Sequence, residues 1–173
     1  MSHSAIDRET STSDTIDAWR AAALHATMDN SGPAPTAFLP PFWHWIYFLD
    51  ARPARELGRD GHPSRGGFIP DLGLPRRMWA GGRLTFHGPL PIGQQATKRT
   101  VIEQIAEKTG RTGPLAFVTL RHEISGPNGI ATTEHQDIVY RQDPTIGAPS
   151  PIQPTAPTDE TSARIVRCGP TML

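Results

Sequence analysis

The fold is decided by the stretch Leu115–Arg141, which reads LAFVTLRHEI (115–124), SGPNG (125–129) and IATTEHQDIVYR (130–141). The first and third segments have strand-like composition and a partial alternation of apolar and polar side chains, which is the period of a half-buried strand. The middle segment contains Asn128-Gly129, a pair that suits the positive φ angles of a tight hairpin turn. The stretch therefore predicts two antiparallel strands joined by a short turn.

Two further segments upstream have the same composition, and Gly and Pro residues bound both of them. These segments are Met78–His87 and Ala96–Lys108. Between them and the N-terminal third, residues 51–75 hold many Gly, Pro and Arg residues with little periodicity, which indicates a long loop. Long loops in compact domains are often functional. The chain from about residue 78 onward is thus predicted to form four consecutive antiparallel strands.

Two helices are predicted ahead of the strands. Asp14 followed by Asp17 is the pattern of an N-cap with an acidic N3 residue, and apolar residues then recur at helical spacing through an alanine-rich stretch. After Pro40-Pro41, the run Phe42–Leu49 is apolar on every side except His44, which favours a second, buried helix. A helix, a buried helix, a loop and consecutive strands predict an α+β domain.

The two ends of the chain differ in composition from its middle. Residues 1–13 are polar, with neither a signal peptide's apolar stretch nor a transit peptide's basic bias, and they predict a disordered N-terminus. Residues 144–157 are dense in Pro, Thr, Ser and Ala, which is the composition of a linker. Residues 158–173 regain some apolar character and predict the start of a second domain. The structured domain is therefore expected over residues 14–143.

The composition argues against several classes of function. The chain has 17 basic and 17 acidic residues and a formal charge of zero, so neither nucleic acid nor a membrane surface is an expected partner. Its longest apolar run is too short to span a bilayer. The single cysteine, Cys168, cannot form an internal disulfide and is interpreted as an incidental thiol in a reducing compartment. We expect a cytoplasmic protein without a cofactor.

Four strings of sequence carry a resemblance to a known family. They are LPPFWHW (39–45), GLPRRMWAGG (73–82), EKTGRTGPL (107–115) followed by FVT, and QDIVYR (136–141). Over about residues 14–143 the chain resembles the N-terminal domain of the mesaconyl-C4-CoA and 3-methylfumaryl-CoA hydratase family, within the wider MaoC-like or FAS1-like dehydratases. The resemblance implies a hot-dog fold, in which an antiparallel sheet wraps a central helix. It also implies a single hot dog of a protein that normally contains two.

The resemblance further implies a hydro-lyase, with an α,β-unsaturated acyl-CoA such as mesaconyl-CoA or 3-methylfumaryl-CoA as its substrate. In MaoC-type sites the acid/base pair is an Asp or Asn followed five positions later by a His, and no Asp or Asn of this chain has a His there. The family carries this motif in its second domain. We therefore expect no catalytic residue in this chain, which would shape the acyl pocket. Because Thr158–Leu173 resembles the lead-in to the second domain, a truncated or split product is expected.

Two alternatives remain open at this stage. One is a non-catalytic acyl-CoA-binding or scaffold hot-dog subunit that pairs with a separately encoded catalytic subunit. The other is an independent thioesterase, which would need a carboxylate on or near the central helix, where Asp50 is the nearby candidate. The expected partners are acyl-CoA and a second hot-dog domain or subunit, whose place a second copy of this chain could take in a homodimer.

The candidate binding residues lie in the string Arg76–Gly82. The fork of an arginine matches a carboxylate bidentately, so Arg77 beside Trp79 indicates a site for an acyl group that ends in a free carboxylate. Gly81 and Gly82 would let a ligand or another backbone approach closely. The alternative is that the arginines are solvated charges and the glycines mark a bulge.

The histidines give weaker indications. His44 could face the acyl pocket, or it could be a core histidine bonded to a backbone carbonyl. His122 and His135 lie on the two arms of the hairpin and could approach one another, but no third ligand follows at metal-like spacing, so no metal site is expected. Asp60-Gly61-His62 has no partner in sequence and is interpreted as a turn.

Overall fold

The computed structural model describes residues 4–110, 113–144, 154–156, 158–159 and 161–162. Within these ranges the chain forms five strands and one α-helix, which are β1 (Glu9–Thr15), α1 (Ala18–Thr27), β2 (Arg76–Phe86), β3 (Gln95–Gly110), β4 (Gly113–Gly126) and β5 (Gly129–Arg141). Among the same residues, no helix has the length and hydropathy that crossing a membrane requires. The predicted linker, the predicted second domain and Cys168 lie wholly or mostly outside the described residues, so they stay predictions.

The five strands form one antiparallel sheet in the order β1-β3-β4-β5-β2. The four strands expected from composition are confirmed at nearly the predicted bounds, and β4 and β5 form the predicted hairpin. Its turn closes between Gly126 and Gly129, and Gly129 has a φ of 98°, a value that favours glycine.

The two faces of the sheet differ in character. Directly paired residues project to the same face, so the register places His122 of β4 between Thr100 of β3 and Glu134 of β5. We call this side the inner face, and its buried apolar residues are Ile102, Ala116, Val118, Leu120, Ile124, Ile138 and Tyr140. The opposite, outer face carries charged side chains that pair with one another, which are Arg83, Arg99, Glu103, Arg121, Glu123, His135 and Asp137.

Two apolar clusters pack against the inner face. The first contains Ile124 and joins α1 to the segment of residues 39–48, and the second contains Leu120 and joins the sheet to the loop of residues 68–74. On β4, His122 lies between Leu120 and Ile124 and therefore between the two clusters. The polar part of the inner face is thus enclosed by apolar packing on both sides.

The buried helix predicted over Phe42–Leu49 is wrong. The segment forms only a 3₁₀ turn, Trp43–Ile46. Phe42, just before the turn, and Phe48, two residues after it, have φ angles of 71° and 58°. Left-handed residues cannot continue a right-handed helix, and aromatic side chains lose rotamer freedom in one. The α-helix of the described residues is α1, which buries Ala21 in the first cluster.

Part of the segment predicted to be disordered, residues 9–13, belongs to a strand. The strand β1 pairs with β3 from Glu9 opposite Val101 to Thr15 opposite Gln95. Almost all of its side chains are exposed and all of them are polar. The alternation of apolar and polar residues that indicates a half-buried strand is therefore missing from its sequence. Main-chain hydrogen bonds to the edge of β3 supply its order.

The start of α1 also differs from the prediction. The N-cap is Asp17, whose carboxylate accepts a hydrogen bond from the Arg20 backbone N–H at 2.8 Å. Asp14 instead accepts from the backbone N–H of Phe48 at 2.8 Å and from the Arg20 guanidinium at 2.8 Å. The Tyr47 hydroxyl donates to the Asp17 carbonyl at 2.7 Å. We call these five residues the Asp14 junction.

The Asp14 junction is stabilised by charge. Hydrogen bonds from Arg20 outweigh burial and hold the pKa of Asp14 at about 2. The guanidinium of Arg20 also lies over the Tyr47 ring, 4.3 Å from its centroid. The junction therefore fixes the turn of residues 43–48 against the end of β1 and the start of α1.

Candidate functional site

A cavity of about 440 Å³ lies on the inner face between the two apolar clusters. It is lined by His44, Trp45, Tyr47, Trp79, Lys98, His122, Glu134 and Gln136. Trp45 and Trp79 are 54% and 68% exposed, so they form its solvent-facing walls. The cavity combines aromatic walls with a few converging polar groups, as ligand sites commonly do.

Strand register brings the polar groups of the cavity together. His122 and Glu134 are direct cross-strand partners. Residues two positions apart on a strand project to the same face. Lys98 of β3 therefore shares the inner face with Thr100, the partner of His122, and Gln136 of β5 shares it with Glu134. The 3₁₀ turn then places His44 and Trp45 beside Glu134. With Trp79 of β2, residues from five separate segments therefore meet in one site.

Glu134 is the anion of the site. Its side chain is 12% exposed, and both of its oxygens accept from the Trp45 indole N–H, at 3.1 and 3.2 Å. Burial alone would raise the pKa of Glu134, but the contacts with His44 and with the Trp45 indole N–H lower it below its ordinary value. Glu134 is therefore an ionised carboxylate near neutral pH.

His44 lies deeper and is less well satisfied. Its side chain is 5% exposed, and its Nε2 lies 3.5 Å from a Glu134 oxygen, in a contact that does not form a hydrogen bond. A buried polar atom without a hydrogen-bond partner costs on the order of 1–3 kcal/mol. Of the two placements considered for His44, the one beside the cavity is observed, and its role in binding stays a prediction.

His122 uses both of its ring nitrogens. Nδ1 lies 2.8 Å from the Thr100 hydroxyl, and Nε2 lies 3.3 Å from Oε1 of Gln136. Because Oε1 can only accept, Nε2 carries the proton and Thr100 donates to Nδ1. Burial lowers the pKa of His122 below its ordinary value. The imidazole is thus neutral at pH 7 and held at both ends.

Lys98 is the cation of the site. Its ammonium lies 5.6 Å from the centroid of the Phe48 ring. Burial lowers the pKa of Lys98, although the charges of Glu134 and Asp50 oppose that effect. Within the described part of the chain, no carboxylate lies within 4 Å of this ammonium.

Two of the predicted binding residues, His44 and Trp79, line the cavity. Gly82 pairs with Gln136 at its edge, and a Cβ there would lie 3.3 Å from the His135 carbonyl oxygen and 3.5 Å from the Trp79 ring. Gly82 therefore permits the close approach of Trp79. Gly81 follows a β-bulge after Trp79, which is the bulge considered as an alternative for the two glycines.

Arg77 shares the inner face but does not line this cavity. Its guanidinium donates to both oxygens of Asp60, at 2.9 and 3.0 Å, and to the Pro63 carbonyl at 3.2 Å. Hydrogen bonds from Arg77 hold the pKa of Asp60 at about 2. The turn at Asp60 thus has a partner that sequence alone did not indicate. A ligand carboxylate would have to displace Asp60 to reach Arg77 bidentately.

The two histidines of the hairpin do not approach one another. His122 is on the inner face, whereas His135 is on the outer face, with its Nε2 3.4 Å from a Glu103 oxygen. Among the described residues, no group of three or more His, Cys, Asp and Glu side chains is arranged to hold a metal ion.

Sequence reasoning missed six cavity residues, which are Trp45, Tyr47, Lys98, His122, Glu134 and Gln136. A signal for one of them was present in β4, where His122 shares the period-two series of Val118, Leu120 and Ile124. A polar side chain within such an apolar series is unusual and invites a functional explanation. Assigning Glu134 to the same face required the register of β5, which the sequence does not supply.

Solved structures with the same arrangement identify the fold. The C-terminally truncated HadBC (3R-hydroxyacyl-ACP dehydratase) complex of Mycobacterium tuberculosis matches with a TM-score of 0.54 and 12% identity, over 80% of this chain and 99% of that chain. The (R)-hydratase of A. caviae involved in PHA biosynthesis matches with a TM-score of 0.50 and 16% identity, over 79% and 96%. At these identities the likeness concerns the fold, and the five-stranded sheet with its helix is a hot-dog domain.

Sequence comparison then gives the family. The sequence model of hydroxyacyl-thioester dehydratase type 2 matches residues 42–173. The mesaconyl-C(4)-CoA hydratase of Chloroflexus aurantiacus is 45% identical over 171 residues, which cover 97% of this chain and 61% of that relative. The chain belongs to the type 2 hydroxyacyl-thioester dehydratase family, and the resemblance stated from sequence is confirmed.

Proposed function

We propose that this chain forms the acyl-binding half of an acyl-CoA hydratase that acts on an α,β-unsaturated acyl-CoA such as mesaconyl-CoA or 3-methylfumaryl-CoA. The observation that carries the proposal is the inner-face cavity, whose aromatic walls and few polar groups suit a short acyl chain with polar ends. The identity to a mesaconyl-C(4)-CoA hydratase supports this substrate class.

The hydrogen bonding within the cavity supports a role in binding and not in acid/base chemistry. Hydration requires a base to deprotonate water and an acid to protonate the α-carbon. Both oxygens of Glu134 accept from the Trp45 N–H, and both nitrogens of His122 are hydrogen-bonded within the protein, so neither side chain is free to activate a water molecule. We therefore propose that a second hot-dog domain or subunit supplies the catalytic pair, with Arg77, Trp79, Gly81, Gly82 and His44 kept as candidate binding residues.

The two edge strands of the sheet, among the described residues, differ in a way that favours one docking side for that second unit. The edge strand β1 is almost entirely exposed and polar. The other edge strand, β2, exposes 68% of Trp79 and 42% of Phe86, and Phe42 packs on Phe86 at 5.4 Å between ring centroids. An open edge beside exposed aromatic side chains is typical of a strand that pairs with a partner. We propose that the second unit docks at β2, next to the cavity.

Two of the solved structures that share the fold are complexes, as their names state. The HadBC structure is a complex, and the ChsH1-ChsH2 complex of Mycobacterium tuberculosis matches with a TM-score of 0.56 and 13% identity, over 75% of this chain and 84% of that chain. For this chain we propose either such a second unit or a second copy in a homodimer. In a homodimer, the β2 edge would be used by both copies.

Reconstitution tests the proposed function. The purified chain is assayed for hydration of mesaconyl-C4-CoA alone, and again after mixing with the part of the Chloroflexus aurantiacus relative that this chain does not cover. We expect hydration only in the mixture, because the chain lacks the acid/base motif. Turnover by the chain alone, surviving stringent purification, would contradict the proposal.

A matched pair of variants locates the site in the reconstituted enzyme. Gln136→Leu removes an amide that lines the cavity, and it should reduce kcat/KM by about tenfold or more. Asp137→Asn, one residue later, changes a side chain of the outer face and should leave kcat/KM within about twofold. Equal losses would show that the cavity is not the acyl site.

The alternative is a non-catalytic acyl-CoA-binding or scaffold subunit. This alternative is favoured because most polar groups of the cavity already make hydrogen bonds within the protein. This alternative predicts that the chain binds acyl-CoA and that mixing with the remaining part of the relative produces no hydration.

A further inference from the structure

The ion pairs of the molecule distinguish Lys98 from the arginines near it. Arg20, Arg77, Arg99 and Arg121 each have a carboxylate within 4 Å. Lys98 is partly buried in the cavity and has none among the described residues. A buried ammonium without a counter-ion is costly, because burial disfavours its charged form. The cavity thus contains a cation that an incoming anion would stabilise.

Glu134 does not neutralise Lys98 at contact distance. Its carboxylate is directed to the Trp45 indole N–H and lies beside Nε2 of His44. It acts on Lys98 only as a charge at longer range, as Asp50 also does. The ammonium therefore keeps donors available to a ligand.

A second group in the same cavity lacks a hydrogen-bond partner. Nε2 of His44 is buried and makes no hydrogen bond within the described structure. A polar ligand atom would relieve this deficit. Two independent observations, an unpaired cation and an unsatisfied imidazole nitrogen, thus indicate that this cavity is built for a polar acyl group.

The arginine that sequence alone favoured is already paired. Arg77 makes a bidentate pair with Asp60 and lines a different cavity. Resting on the proposed function, we propose that Lys98 binds the free carboxylate of an acyl-CoA whose acyl group derives from a dicarboxylic acid. His44 supplies a further hydrogen bond to the same acyl group. Lys98 is then the residue that selects a carboxylate-bearing acyl group over an uncharged one.

Two saturated thioesters test this assignment without turnover. Methylsuccinyl-CoA, esterified at the carboxyl remote from the methyl group, and isovaleryl-CoA differ only by a carboxylate in place of a methyl. Neither has a double bond to hydrate. By calorimetry on the full chain, we expect methylsuccinyl-CoA to bind about tenfold or more tightly than isovaleryl-CoA, because a charge-assisted contact replaces an apolar one.

Variants of the two lysines of β3 assign the preference to one residue. Lys98→Met should reduce the preference to about twofold or less, because it should weaken the binding of methylsuccinyl-CoA more than that of isovaleryl-CoA. Lys108→Met is the matched control, since Lys108 is exposed near the other end of the same strand, and it should keep the full preference. Lys98→Arg retains the charge and should restore part of the preference.

The outcomes separate the two proposals. Equal affinity of the unmodified chain for both esters, or a preference that survives Lys98→Met, overturns the role of Lys98 and leaves the acyl-CoA site standing. Failure of both esters to bind overturns the proposed function and this assignment with it. If Lys98→Met does not fold, the salt dependence of the unmodified chain decides, because a carboxylate preference should weaken as salt increases. A preference that is unaffected by salt contradicts the assignment.

Discussion

On each face of the β4–β5 hairpin an imidazole lies beside a carboxylate, but the two faces differ in burial. Glu134 and His135 are adjacent in sequence and project to opposite faces. On the inner face, His44 lies 3.5 Å from Glu134, and on the outer face His135 lies 3.4 Å from Glu103. The inner pair is 5% and 12% exposed, whereas the outer pair is 28% and 42% exposed.

The distance between imidazole and carboxylate therefore does not distinguish a candidate site from an ordinary surface pair. Burial and the presence or absence of a counter-charge distinguish the two. On the outer face, Glu103 also contacts Arg121, and water screens both interactions. On the inner face, Glu134 shares a cavity with Lys98, and neither completes an ion pair with the other. The following predictions test this difference from the largest effect to the smallest.

The largest effect should come from two isoleucines near the ends of the hairpin turn. Ile124 is 1% exposed and Ile130 is 47% exposed. Ile124→Ala should lower the free energy of unfolding by about 2–5 kcal/mol, because it leaves a cavity in the first apolar cluster. Ile130→Ala should change it by about 0.5 kcal/mol or less. Chemical denaturation measures both, and similar losses would refute the assignment of the inner face.

A smaller difference is expected between two arginines of β2. The Arg77 side chain is 15% exposed and pairs with Asp60, whereas the Arg83 side chain is 60% exposed and pairs with Asp137. Arg77→Met should cost about 1–3 kcal/mol of unfolding free energy, and Arg83→Met less than about 1 kcal/mol. A double-mutant cycle with Asp60→Asn should give a coupling for Arg77. Absence of coupling would show that Arg77 is free for a ligand.

The pH dependence of stability should report on His122. Burial lowers the pKa of His122 in the folded state, so as pH falls from about 7 to 5 the unfolded chain takes up the proton first. The unfolded state then binds more protons, and stability decreases as pH falls. His122→Gln should make this decline shallower. An unchanged slope in denaturation curves would contradict the burial of a neutral imidazole.

Glu134 contributes in the same direction at lower pH. The pKa of Glu134 is lowered in the folded state despite its burial, since contacts with His44 and Trp45 outweigh the desolvation. Its stabilisation is present above the ordinary glutamate pKa of about 4.3 and is lost as pH falls below it. The window between pH 5 and 7 therefore separates the effect of His122 from that of Glu134.

The smallest effect should come from the outer-face network. Glu103→Gln removes contacts with Arg121 and His135, and it should cost about 0.2–1 kcal/mol of unfolding free energy. The loss should shrink further at high salt, because exposed charges are screened. Thermal melts at low and high salt measure it. A large, salt-independent loss would mean that the outer face is covered by another part of the protein.

Local signals account for what the sequence predicted in the fold. The strand composition and the Asn128-Gly129 turn are properties of short segments, so the hairpin could be predicted. The conformation of Phe42–Leu49 depends on a hydrogen bond from Phe48 to Asp14, 34 positions away. The strand β1 depends on the edge of β3. Tertiary contacts of this kind override local propensity, and one sequence does not show them.

The same limit applies to the candidate site. His44 and Trp79 could be predicted because they stand out within apolar or glycine-rich strings. Lys98 and Glu134 are ordinary charged residues in their own strands, and only the pairing of β3, β4 and β5 places them in one cavity. Arg77 was favoured because its neighbours in sequence suggested a ligand, whereas its partner Asp60 approaches through the folding of a loop.

The Asp14 junction gives the polar N-terminal segment a role beyond completing the sheet. Through Asp14 and Asp17 it holds the backbone of Phe48 and the hydroxyl of Tyr47, which anchor the turn that carries His44 and Trp45. A protease that trimmed the chain up to Asp17 would remove a mostly hydrophilic segment. The cut would nevertheless release one wall of the cavity. Ligand affinity would then be lost through a cut made outside the cavity lining.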